Sequence, residues 1–128
     1  MRTDGSPVHV LVVDDGPEMV ELIADDLRHR GYRVSAVTSG RDALRLLRTE
    51  RVHALVTDLR MPELDGLELL RRSQELDPSR PVIVMTAFET LDTAMEASEL
   101  GALHYIVKPF RVGRLARMLG EVLRERSS

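Results

Sequence analysis

The sequence has no cysteine and no tryptophan, and aromatic residues make up only 3% of its 128 positions. Without cysteine, neither a disulfide framework nor a thiolate metal site can form. With so few rings, a base-stacking platform for nucleic acid is not to be expected. The net charge is −3, from 18 basic and 21 acidic residues, so the electrostatic footprint of a nucleic-acid binder is missing as well. No apolar run approaches the roughly 20 residues that span a bilayer. No signal peptide opens the chain and no internal repeat divides it. These absences predict a cytoplasmic protein with no membrane and no nucleic-acid partner of its own. Lysine is almost absent too: Lys108 stands alone among 17 arginines.

What is present, 43% apolar and 30% charged residues, suits one globular domain large enough to bury a continuous core. Residues 1–7 read as a loose arm, 8–126 as the domain and 127–128 as a tail. Val8 to Val13 is an apolar run that stops at Asp14-Asp15. Pro17 suits a first helical position, and Met19, Leu22, Ile23 and Leu27 recur at helical spacing until Gly31 can cap the end. A shorter strand over Tyr32 to Val37 leads to Thr38-Ser39-Gly40 and a helix through Ala43, Leu44 and Leu47 to about Glu50. The run Val52 to Val56, apolar except for His53, predicts a strand covered on both faces, with Asp58 at its end. Met61 to Gly66 reads as a loop whose Pro and Gly forbid an early helix. A third helix with Leu67 and Leu70 inward ends near Asp77-Pro78. A fourth strand follows from Pro81 to Met85, ending at Thr86-Ala87. A fourth helix is expected over Leu91 to Leu100, a fifth strand over Leu103 to Val107 ending at Lys108-Pro109, and a last helix from about Arg111 to Arg126 with Leu115, Leu119 and Val122 inward.

Strands alternating with helices at this spacing predict an α/β, doubly wound parallel sheet of five strands with right-handed crossovers. In such a sheet the carboxyl ends of the strands form the ligand crevice. Asp14, Asp15, Asp58, Thr86 and Lys108 should therefore share one site. Three carboxylates within about 5 Å of one another repel by roughly 3 kcal/mol per pair at an effective dielectric near 20. The sum rivals the roughly 5–15 kcal/mol stability of a whole domain, so the cluster calls for a cation. All-oxygen ligands in an open site point to Mg²⁺. Relief of repulsion also predicts that Asp14→Asn or Asp15→Asn raises stability when the metal is absent. A divalent ion, an ammonium and a hydroxyl around one carboxylate are the equipment for phosphoryl transfer, with Asp58 as nucleophile and Thr86 and Lys108 as its catalytic partners. The histidines at positions 9, 29, 53 and 104 lack ligand spacing and read as structural.

The pieces Val-Val-Asp14-Asp15, Thr-Asp58-Leu-Arg-Met-Pro62 with Asp65-Gly66, Met-Thr86-Ala87, and Tyr105-Ile-Val-Lys108-Pro109-Phe110 together resemble the receiver domain of a two-component response regulator. Each stands at the end of its expected strand, and the resemblance covers Val8 to about Glu125. It implies a flavodoxin-like fold with strand order 2-1-3-4-5, phosphorylation at Asp58, and Mg²⁺ held by Asp14, Asp15, Asp58 and the backbone carbonyl of Arg60. It further implies a histidine kinase or histidine phosphotransfer protein as donor. A downstream protein or a fused output domain would be the recipient, and phosphorylation-dependent homodimerisation a further property. The switch would run through Thr86 and Tyr105 to the face built from the fourth helix, fifth strand and fifth helix. Such a domain is not an enzyme but assists its own phosphorylation and dephosphorylation. The Lys108-Pro109 bond is expected to be cis. Arg60 and Phe88, two residues beyond Asp58 and Thr86, are placed to border the path of a hydrolytic water.

Some positions depart from the family pattern. Gly16 replaces the acidic or larger residue often found there and is expected to loosen the loop after Asp15. His104 precedes Tyr105 where DNA-binding members have Asp. The chain is expected to be either a stand-alone regulator or the receiver of a larger protein. Two competing readings remain. One is a phosphatase of the haloacid-dehalogenase type, whose nucleophile is followed two positions on by an acid, where this chain has Arg60. The other is a scaffold that keeps the fold without being phosphorylated.

Overall fold

The computed structural model describes residues 6–87, 99 and 104–127. Within them five parallel strands form one sheet, β1 (His9–Val13), β2 (Arg33–Val37), β3 (Ala54–Asp58), β4 (Val82–Ala87) and β5 (His104–Lys108), in the order β2-β1-β3-β4-β5. Helix α1 (Pro17–His29) and a C-terminal helix (Val112–Ser127) share one apolar cluster with one face of the sheet. Helices α2 (Gly40–Thr49) and α3 (Gly66–Leu76) share a second cluster with the other face. The expected doubly wound fold and strand order are observed. The expected fourth helix lies outside the described residues, apart from Glu99, which is helical.

Alternation along β1 divides the core. Val10 and Val12 face the side of α1, Leu11 and Val13 the side of α2, and all are fully buried. His9 is buried as well, without an unmet polar atom. Its Nδ1 lies 3.0 Å from the Arg51 carbonyl and its Nε2 2.7 Å from Ser35 Oγ, while its backbone N–H donates to His53 Nδ1 at 2.9 Å. Histidines 9 and 53 thus tie β1 to the approach of β3 at the end of the sheet away from the strand tips. Arg80 does the same for α3, its buried guanidinium donating to the Val52 carbonyl at 2.9 Å and to Ser73 Oγ at 2.9 Å.

The helix ends follow local chemistry. Ser39 caps α2 by accepting the Asp42 N–H at 3.1 Å, and Asp65 caps α3 by accepting the Glu68 N–H at 3.0 Å. After α1, Gly31 adopts φ +100°; its N–H donates to the Arg28 carbonyl and that of Tyr32 to the Leu27 carbonyl, the paired bonds of a Schellman end.

Four expectations need correction. β3 begins and ends two residues later than Val52 to Val56, so Asp58 is its last residue. Gly66 is not part of the preceding loop but the first residue of α3, because Asp65 already supplies the cap. Leu69 joins Leu70 in the core while Leu67 is only partly covered. Leu22 does not face inward: the buried stripe of α1 is Val20, Ile23, Ala24 and Leu27, and Leu22 is 57% exposed.

Glu63 takes φ +65° in the loop between β3 and α3. In that region a Cβ crowds the following carbonyl at roughly 1–2 kcal/mol for most residues, and asparagine tolerates it better. The Glu63 carboxylate meets Arg41 at 3.4 Å, but both side chains are largely exposed, so that pair returns little. Glu63→Asn is therefore expected to raise stability by about 0.5–1 kcal/mol, read as a higher urea midpoint with unchanged slope.

Candidate functional site

Four strand ends bring the reactive groups together. Asp14 and Asp15 follow the last residue of β1, Asp58 ends β3, Thr86 sits near the end of β4 and Lys108 ends β5. Register fixes their relation, since Val13 pairs with Thr57, Asp58 with Met85, and Ala87 with Lys108. Carboxylate oxygens of Asp14, Asp15 and Asp58 all lie within 4.8 Å of one another. Asp14 is buried, Asp58 is 13% exposed and Asp15 faces solvent. The Lys108 ammonium donates to Asp14 Oδ2 at 2.7 Å and lies 3.3 Å from Asp58 Oδ2. The other oxygen of Asp14 accepts the Gly16 N–H at 2.8 Å. Asp58 Oδ1 takes only a long contact, 3.4 Å, from the Arg60 N–H.

Asp14 is thus held from both sides, whereas Asp58 keeps an oxygen with little engagement. Burial pushes the Asp58 carboxyl up; the Lys108 charge opposes this, the like charge of Asp14 adds to it, and the net shift is upward. For Lys108 burial acts downward, but its bonds and charge interactions with Asp14 and Asp58 outweigh it and the ammonium is held more tightly than usual.

The backbone around Asp58 is packed to the limit. A Cβ on Gly66 would stand 2.0 Å from the Asp58 carbonyl oxygen, and the Gly66 N–H donates to the Leu59 carbonyl at 2.9 Å. Only glycine allows α3 to start this close to the strand end. Thr57, fully buried, donates its hydroxyl to the Asp58 carbonyl at 2.9 Å. Neither support was singled out from sequence as serving Asp58, although Gly66 was visible in the loop motif. The Gly16 amide anchors Asp14, and an added Cβ would meet Asp14 Oδ1 at 3.3 Å.

Thr86 is buried and Tyr105 is 45% exposed on the outer strand of the sheet. Tyr105 pairs with Val84, two residues before Thr86, so the two switch candidates share one sheet face in diagonal register. Arg60 is exposed beside the crevice, and Phe88 lies outside the described residues. The Lys108-Pro109 bond is cis, as expected.

A five-stranded 2-1-3-4-5 sheet with an acidic cluster and a lysine at its strand tips defines a phosphoacceptor domain, and the comparisons with known proteins agree. Residues 10–120 match the family model of the response regulator receiver domain, and the chain belongs to that family. It is 40% identical over 119 residues to the transcriptional regulatory protein ZraR of Klebsiella oxytoca, covering 93% of this chain and 27% of that protein. Against the probable transcriptional regulatory protein TcrX of Mycobacterium tuberculosis it is 32% identical, covering 96% of this chain and 53% of that one. The chain therefore spans between about a quarter and a half of these relatives. Its fold is similar to that of the CheY-like receiver domain protein from Methanospirillum hungatei, with a TM-score of 0.91, 26% identity and coverage of 95% and 98% of the two chains. The chain is a phosphoacceptor signalling switch, a regulatory domain, and nothing supports the phosphatase alternative. Among the described residues no helix is long and apolar enough to cross a membrane.

The geometry separates the acids that sequence treated alike. A carboxyl whose folded pKa is raised binds its proton more tightly when folded, so its contribution favours folding in acid and is lost as pH rises through the raised value. Asp58 is such a group. Lys108, also raised, contributes stability that is full below its unfolded pKa and lost only as pH rises through the higher folded one. Without divalent cations at neutral pH, Asp58→Asn is expected to raise stability by on the order of 1 kcal/mol, the gain shrinking as pH falls through the raised Asp58 value and gone below the ordinary carboxylate range near ~3.9. Asp14→Asn should instead lower stability by about 1–3 kcal/mol, because the new amide would turn an NH₂ toward the Lys108 ammonium or the Gly16 N–H. Urea midpoints of the two variants across pH check the opposite signs.

Proposed function

We propose that Asp58 is the residue that accepts the phosphoryl group, from a histidine kinase or a histidine phosphotransfer protein. The observation that carries this reading is the Asp14, Asp15 and Asp58 cluster within 4.8 Å, with one ammonium shared between Asp14 and Asp58. A carboxylate oxygen of Asp58 attacks phosphorus, an acyl phosphate bond forms, and the P–N bond to the donor imidazole breaks. Lys108 already reaches the Asp58 carboxylate and can follow a phosphoryl oxygen, while Thr86 supplies a hydroxyl from the neighbouring strand. The donor set fits Mg²⁺, with Asp14, Asp15, Asp58 and the Arg60 carbonyl as ligands. When bound, the ion would neutralise phosphoryl oxygen charge.

Loss of negative charge at Asp58 and its transfer to phosphoryl oxygens would bias Thr86 inward and Tyr105 out of its exposed position, altering the face around β5 and the C-terminal helix. A phosphoryl group can shift this equilibrium only by its differential contacts in the two states, and Thr86 and Lys108 supply them. The recipient of the signal is a downstream protein or an output domain of the same polypeptide, and phosphorylation-dependent homodimerisation through the β5 side belongs to the same reading. So does a cytoplasmic location. The same reading gives Arg60 and Phe88 a role in setting the lifetime of the acyl phosphate.

Acetyl phosphate with Mg²⁺ is expected to yield a hydroxylamine-labile acyl phosphate in the wild type and none in Asp58→Asn. Continuous phosphate release without a stable adduct would favour hydrolytic turnover instead, and no reaction would favour a scaffold. With beryllofluoride as phosphoryl analogue, the NMR signals of Tyr105 should shift in the wild type and shift less in Lys108→Arg, whose broad planar guanidinium cannot follow one oxygen as an ammonium does. Phosphate decay should be several-fold faster in Phe88→Ala, because a smaller side chain admits the attacking water; equal or slower decay would remove Phe88 from this role.

A further inference from the structure

The loop between β3 and α3, residues 59–65, carries Arg60 and is pinned at both ends. At its start the Leu59 N–H donates to the Met85 carbonyl at 3.3 Å and the Leu59 carbonyl accepts the Gly66 N–H at 2.9 Å; at its end Asp65 caps α3. Between these points Leu59 and Met61 are buried, while Pro62 and Glu63 are exposed. The brace for the second half of the loop comes from a different helix. Gly40, the buried first residue of α2, lies against the main chain of Leu64. A Cβ on Gly40 would stand 2.1 Å from the Leu64 carbonyl oxygen and 3.0 Å from both its carbonyl carbon and Leu64 Cβ. Of the glycines among the described residues, only Gly66, at Asp58 itself, is approached as closely.

Helix α2 has no freedom to draw back from this contact. Ala43 and Leu47 hold its inward side in the second apolar cluster, and Ser39 holds its first turn, its Oγ accepting the Asp42 N–H and its carbonyl that of Ala43. Leu64 packs on the same cluster, partly buried. A methyl group at position 40 would therefore push the loop rather than the helix, and by more than an ångström before the Leu64 oxygen reached ordinary contact distance. Arg60 is four positions before Leu64, and the pinned ends leave little slack in which such a shift could be absorbed. The pair of Arg41 and Glu63, 3.4 Å apart, also joins α2 to the loop, but both side chains are largely exposed and the contact contributes little.

We propose that Gly40 is a positioning residue for the metal site: by leaving room for the Leu64 carbonyl, the start of α2 seats the loop and, through it, the carbonyl of Arg60. The inference rests on the reading in which that carbonyl is a Mg²⁺ ligand, and adds a residue from outside the crevice to it. Mg²⁺ demands near-octahedral oxygens at about 2.0–2.1 Å, so a displaced carbonyl is lost to it rather than held at longer range. Groups that orient metal ligands typically account for about 10–100-fold in affinity.

Mg²⁺ titration of the unphosphorylated chain, followed by amide NMR, tests this. Gly40→Ala should bind Mg²⁺ about tenfold more weakly than wild type, because the loop is pushed off its seat. Leu64→Ala, at a partly buried position whose loss the fold should survive, should bind about threefold more weakly, because the loop is let go from the other side of the same contact. In both variants acyl phosphate formation from acetyl phosphate should need more Mg²⁺ but approach the wild-type rate at saturation. Arg41→Ala should keep its Mg²⁺ affinity within about twofold, since it removes only the exposed ion pair. So should Val122→Ala, which lowers the melting midpoint through the cluster on the other face of the sheet and so controls for lost stability. A folded Gly40→Ala with wild-type affinity would overturn the inference. If Gly40→Ala does not fold, a Leu64→Ala with wild-type affinity would overturn it equally, as would a Val122→Ala that weakens Mg²⁺ as much as the loop variants. In each of these cases the metal site itself stands. A wild type that binds no Mg²⁺ would instead remove the metal reading, and this inference with it.

Discussion

The shared ammonium of Lys108 is the interaction on which the crevice depends. It joins residues 94 positions apart, and without it Asp14 and Asp58 would face each other at the strand tips with no positive charge among the described residues in contact. At an effective dielectric near 20, two unit charges about 4 Å apart interact by roughly 4 kcal/mol, a large share of a domain's roughly 5–15 kcal/mol. The lysine meets Asp14 at 2.7 Å and Asp58 at 3.3 Å, so the balance is uneven. Asp14 is the committed partner and Asp58 the one whose proton affinity stays raised. That asymmetry suits a site in which one acid is scaffold and the other reacts.

A parallel sheet is what makes the arrangement affordable in chain terms. Each strand delivers its polar residues to the same end, and the apolar residues beneath them hold the tips in place. Leu11, Leu55 and Val84 on one face, and Val12, Val56 and Met85 on the other, are all fully buried under these ends. Gly66 and Thr57 then fix the main chain of Asp58 itself, one by permitting α3 to approach and the other by bonding to its carbonyl. Precision at Asp58 thus comes from neighbours without charge.

Most of this was legible in the sequence because burial on both faces writes long apolar runs, and each run ended at a polar residue. The grouping of Asp14, Asp15, Asp58 and Lys108 followed, while the strand order came only with the resemblance to the receiver family. What could not be read has local causes. β3 was placed two residues early because Val52 is apolar and buried yet precedes the ladder, with His53 turned to accept the His9 N–H. Leu22 looked like a core residue because leucine usually is, but Val20 and Ala24 complete the inward stripe and leave it outside. Gly16 and Glu63 depend on backbone angles and close contacts that composition does not encode.

Interior and edge strands of the sheet differ in a way that bears on where a switch can sit. β1, at the interior, buries all five of its residues, while β5 buries only Ile106. Burial of a large apolar side chain stabilises by roughly 1.5–3 kcal/mol, so β5 has little of the packing that would hold one conformation against another. Segments with few buried contacts open at the low end of the stability range. Lys108, however, lies on this same strand and is bound to the acids of the crevice. This edge strand is held by its ladder to β4, by Ile106 and, at one end, by charge, and a change of charge at Asp58 acts directly on that last tie. A strand buried like β1 would need far more than a phosphoryl group to move.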